Sequence, residues 1–139
     1  MNTLISTLEI KMINKISDTL YDKSNSELIT KDEITEAQQQ LCLAENKYDV
    51  CSALETMNYC FSVILSEIRV AKREILTAVF KERPNLLGEK SVLERKLDAE
   101  PSYAECKEKE EYLFNFINHL SNIKDNITWL TKKEDNDIH

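Results

Sequence analysis

Glycine is almost missing from this chain. Gly88 is the single one in 139 residues, and Pro84 and Pro101 are the two prolines. With so few breakers the chain has no supply of the tight turns that β-sandwiches and barrels need, so an all-helical fold is expected. The same scarcity excludes glycine-rich phosphate loops, because neither G-x-G-x-x-G nor a P-loop can be written. The longest uncharged run, residues 56–66 (TMNYCFSVILS), falls far short of the roughly 20 residues that span a bilayer. The opening MNTLISTLEIKM has no basic n-region and no continuous apolar stretch, so no signal peptide is expected and the compartment reads as cytoplasmic.

Metal and disulfide patterns are also missing. Cys42, Cys51, Cys60 and Cys106 form no C-x-x-C pair, and His119 and His139 complete no metal-ligand spacing. Cys42, Cys51 and Cys60 recur every nine residues, which on a helix turns Cys51 away from the other two. All four read as reduced, small apolar packing residues. There is no H-E-x-x-H and no Glu-x-x-His. Glu105, Glu108, Glu110 and Glu111 are interleaved with Lys107 and Lys109, the pattern of a solvated helix face with i,i+4 pairing. No enzyme and no cofactor are expected.

What is present is helix. Thr30-Lys31-Asp32-Glu33, Ser91-Val92-Leu93-Glu94 and Ser102-Tyr103-Ala104-Glu105 are capping boxes, in which a hydroxyl accepts an amide hydrogen that the first helical turn leaves unpaired. They divide the chain, as one domain, into an N-terminal helix over 1–23, a long helix over 31–83, a turn with a short helix over 84–101, a C-terminal helix over 102–132 and a tail over 133–139. The N-terminal stripe is Leu4, Ile5, Leu8, Met12, Ile13, Ile16 and Leu20. The long stripe runs from Ile34, Ala37, Leu41 and Ala44 through Tyr48 and Cys51 to Leu54, Met57, Phe61, Ile64 and Ile68. Its spacing slips between Tyr48 and Met57, and over 50–65 nearly every face is apolar. One neighbour cannot cover such a helix. An antiparallel hairpin of the long and C-terminal helices, completed as a bundle by self-association through Leu54, Met57, Phe61, Ile64 and Ile68, is the expected architecture.

Charge is unevenly spread. The chain carries a formal −7, yet residues 69–96 hold eight basic side chains (Arg69, Lys72, Arg73, Lys81, Arg83, Lys90, Arg95 and Lys96) against four acidic ones. All four arginines of the protein lie there. Arg69, Lys72 and Arg73 share one helix face, and arginine forks suit phosphate. A basic strip of this kind fits sequence-independent binding of single strands, although Phe80 is its one aromatic residue. The alternative is a solvated or salt-bridged surface.

The order of these segments resembles the UvsY-type recombination mediators of tailed phages. The resemblance covers about residues 34–132. It rests on a long helix ending Ile68-Arg69-Val70-Ala71-Lys72-Arg73-Glu74, a segment Glu89-Lys90-Ser91-Val92-Leu93-Glu94-Arg95-Lys96-Leu97-Asp98, and a closing helix with Leu120-Ser121-Asn122-Ile123-Lys124-Asp125-Asn126-Ile127-Thr128-Trp129-Leu130. It implies a small all-helical homo-oligomer in a host cytoplasm. Such a protein would bind single-stranded DNA through Arg69, Lys72 and Arg73 and assist a recombinase in loading onto DNA coated with single-strand-binding protein. The competing expectation is a helical adaptor or inhibitor that binds another protein and no nucleic acid.

Overall fold

A computed structural model describes residues 5–82, 95, 97 and 100–138, with side chains as far as Thr128. The described residues form four helices and no strand: α1 (Thr7–Ser24), α2 (Lys31–Leu43), α3 (Lys47–Glu82) and α4 (Pro101–Ile138). None of them is long and apolar enough to cross a membrane, among the described residues.

Local chemistry explains most of the boundaries. Ser6 caps α1 by accepting from the Glu9 amide at 3.1 Å, a fourth capping box beyond the three read from the sequence. Ile5 and Ile10 occupy the flanking positions of a hydrophobic staple, Ile5 buried and Ile10 packed against the core. The helix therefore starts six residues later than the expected 1–23. It ends where Asn25 takes a left-handed conformation (φ 51°, ψ 41°), which asparagine tolerates better than most side chains. Thr30 caps α2 as expected, accepting from the Glu33 amide at 3.3 Å. At α4 the first helical residue is Pro101 rather than Ser102, because proline has no amide hydrogen to leave unpaired at that position. No glycine or proline follows, and α4 runs on to Ile138 through the segment expected to be a frayed tail. The Ser91 capping box and most of the short helix expected at 92–99 lie outside the described residues; Arg95 and Leu97 within it are helical.

The largest departure is at 44–46. The expected helix over 31–83 is two helices, broken without glycine or proline. Ala44 is extended (φ −63°, ψ 130°), and Asn46 opens α3 by accepting the Asp49 amide at 3.0 Å. The chain then folds back, so that Gln40 of α2 donates to Ser52 of α3. At the other end of the pair, the Glu67 carboxylate accepts from Ser26 and from the Glu27 amide. Tyr48, a member of the expected stripe, is consequently 74% exposed.

Each helix runs opposite to its neighbours. Between α1 and α2, Asp18 pairs with Lys31 at 2.8 Å while Asn14 approaches Cys42 at 3.4 Å. Between α3 and α4, Lys124 meets Glu55, Asn58 donates to Ser121 and Lys72 donates to Glu110. His119 and Glu9, 3.7 Å apart, close the ring from α4 to α1. The core inside this ring contains Ile13, Ile34, Leu41, Val50, Leu54, Met57, Phe61, Ile64, Leu113, Phe116 and Leu120.

This arrangement corrects two expectations. Leu54, Met57, Phe61 and Ile64 are no more than 1% exposed within one chain, and Ile68 is 7% exposed. They were expected to meet another subunit. Instead, α2 and α4 cover the apolar zone from two sides, so these five residues form an intramolecular core. Conversely Leu8, Met12 and Ile16 of α1, expected to pack inward, are 68%, 55% and 39% exposed. Cys42 is exposed as well, so of the four free cysteines Cys60 alone has the buried character expected of them all.

Candidate nucleic-acid interface

The connection between α1 and α2 touches α3 at Glu67. Beyond it, the C-terminal part of α3 runs alongside the start of α4 and carries the basic residues. Arg69 and Lys72, one turn apart, face the same carboxylate of α4. Lys72 Nζ donates to Glu110 Oε2 at 2.7 Å, and Arg69 Nε lies 3.5 Å from Glu110 Oε1. Lys72 also stands over the Tyr103 ring, 5.9 Å from its centroid. Two of the three cations on the expected phosphate-binding face therefore hold α3 against α4. Arg69 stays half-exposed with one edge of its guanidinium free for further bonding, whereas Lys72 is less open.

The hydrogen bond from Lys72 is the main influence on Glu110. With help from Arg69 it outweighs partial burial and holds the carboxyl below its ordinary range. A carboxylate whose affinity for protons falls on folding stabilises the native state above its unfolded pKa, ordinarily about 4.5, and loses that contribution as pH falls through the folded value. Thermal stability should thus drop on acidification below about pH 5. In Glu110→Gln the drop should be visibly shallower, measured by circular dichroism melts between about pH 3 and pH 6. An unchanged acid limb would show that the pair adds nothing to the fold. Asp18 titrates in the same range: burial opposes its ionisation, but hydrogen bonds from Lys31 and Gln38 prevail and lower its pKa. For this reason the difference between the two proteins is the quantity to read.

The same end of the molecule contains residues that the sequence reading missed. A shallow groove between α3 and α4 is lined by Arg69, Lys72, Lys107, Glu110, Glu111 and Phe114. Lys107 is exposed, and the Phe114 ring is 49% exposed. Lys107 and Phe114 stand seven residues apart, two helical turns, and so share a face of α4. That spacing was legible; its position opposite Arg69 was not. Phe80, the aromatic residue expected to serve the strip, is half-buried instead.

The remaining basic candidates do not all converge here. Arg73 and Lys81 are exposed on α3 but outside the groove, and Arg95 is exposed. Arg83, Lys90 and Lys96 lie outside the described residues. Among the described residues no three histidine, cysteine or carboxylate side chains converge as metal ligands. Comparison with known protein families, curated proteins and solved structures finds no match.

Proposed function

We propose that this chain is a helical single-strand-binding protein of the recombination-mediator type, acting at the α3/α4 groove and assisting a recombinase in loading onto DNA. The observation that carries the reading is one surface bearing three cations, Arg69, Lys72 and Lys107, beside the exposed ring of Phe114. Cations that follow a phosphate backbone together with a ring on which a base can stack are the two parts of sequence-tolerant single-strand binding. Glu110 and Glu111 offset part of the charge, so the groove suits weak binding. The sequence resemblance to UvsY-type mediators supports the same reading. Self-association would repeat the groove and add affinity by multivalency. It belongs to the proposal, but it must use a surface other than the five core residues.

The test is fluorescence anisotropy with a labelled oligothymidylate at low and moderate salt. Binding should weaken steeply, with a log–log slope of about −2 if three phosphates are neutralised on a single strand. Absence of binding at low salt would remove the reading and leave the adaptor, which the exposed Leu8, Met12 and Ile16 favour.

A further inference from the structure

On α1, Leu8, Met12 and Ile16 lie at i, i+4 and i+8, one straight strip along the helix surface. All three are exposed, although the helix carrying them is built into the bundle by Ile13 and the buried Ser17. The strip borders a groove between α1 and α4 with a volume of about 390 Å³, floored by Ile16, Leu20, Tyr112 and Leu113. Tyr112 is itself 56% exposed, so the apolar surface continues across the seam onto α4. Two neighbouring helices thus leave open a continuous apolar trough, where the other seams are closed by buried side chains.

The rim of the trough gives the sign of its occupant. Lys15 and Lys23 from α1 and Lys109 from α4 line it. Lys109 holds Glu105 at 3.0 Å, but Lys15 and Lys23 have no carboxylate partner among the described residues. In a chain of net charge −7, unpaired lysines flanking exposed apolar side chains are complementary to an apolar stripe edged by acids. We infer that the α1/α4 groove docks an acidic amphipathic helix of a partner protein. The partner's leucine-type side chains would fill the trough at i, i+3, i+4 and i+7, and its carboxylates would meet Lys15 and Lys23. This surface is separate from the basic groove, because Tyr112 and Phe114 are two residues apart and so point about 200° apart around α4. A nucleic acid and a protein helix can therefore be held together without competing.

The probe is a labelled synthetic helix with leucines at those four spacings and glutamates on both flanks, compared with the same peptide bearing lysines. Anisotropy should show micromolar binding of the acidic peptide and at least about tenfold weaker binding of the basic one. Lys15→Glu with Lys23→Glu should reverse that preference, and Met12→Asp should abolish binding of both peptides. Each position is exposed, so circular dichroism should be unchanged in every variant. Equal binding of the two peptides, no binding at millimolar concentration, or indifference to the lysine reversal would overturn the inference. So would a wild-type dimer in sedimentation that Met12→Asp converts to monomer, since a second copy of the chain would then be the occupant.

Discussion

Phe61→Glu should unfold the protein rather than dissociate an assembly. Phe61 has no measurable exposure, and its ring meets that of Phe116 edge to face, with centroids 5.1 Å apart and planes at 88°. Truncating a buried phenylalanine costs about 3–5 kcal/mol, and the aromatic pair adds about 0.5–1.5 kcal/mol to its burial. A carboxylate at that site would also be unpaired in an apolar surrounding, a further cost of several kcal/mol. Domains of this size have about 5–15 kcal/mol in hand, so the sum exhausts most or all of the stability. The expected readout is loss of the helical circular dichroism signal, with light scattering showing aggregation or an expanded monomer. A variant that stays fully helical and changes only its oligomeric mass would contradict the intramolecular placement of this residue.

The second large effect concerns nucleic acid. Substituting Arg69, Arg73 and Lys107 together by alanine should reduce oligothymidylate affinity at low salt by an order of magnitude or more. The slope against salt should flatten by about 2, at roughly 0.7 per lost phosphate contact. Lys72 is deliberately spared: it is tied to Glu110 at 2.7 Å, so its removal would leave a partly buried carboxylate without its main partner and confuse binding with stability. Phe114→Ala should act differently, weakening affinity by about 1–3 kcal/mol while leaving the salt slope intact, because stacking is not ionic. If the triple variant keeps both affinity and slope, Arg69, Arg73 and Lys107 are ordinary surface.

Much of the helical plan could be read from residue types alone. Thr30 with Glu33, the polar run through Asn25, and Pro101 mark helix ends by chemistry local to a few residues. The break at 44–46 was harder to read because it uses no residue that forbids a helix. Its local signal was Asn46 followed three places later by Asp49, together with the slip in apolar spacing that begins at Tyr48. Periodicity shows that a stripe is buried but not what covers it. A straight helix in an oligomer and a fold-back in one chain place the same residues in a core, so Phe61 was legible as buried and its partner Phe116 was not. The stripe of α1 misled for the opposite reason: Leu8, Met12 and Ile16 keep helical spacing, yet the helix turns a different face, with Ile13 and Ser17, to its neighbours. At the basic end, the shared face of Arg69 and Lys72 followed from spacing. The Glu110 that neutralises them comes from 38 residues beyond Lys72, and only tertiary structure supplies such a pairing.

The most direct measurement is residue-resolved NMR of the protein titrated with an oligothymidylate at low salt. Backbone and side-chain shifts should concentrate at Arg69, Lys107 and Phe114, weaken together as salt is added, and spare Leu8, Met12 and Ile16. A spectrum that does not change, or shifts confined to the α1/α4 groove, would contradict single-strand binding at the α3/α4 surface.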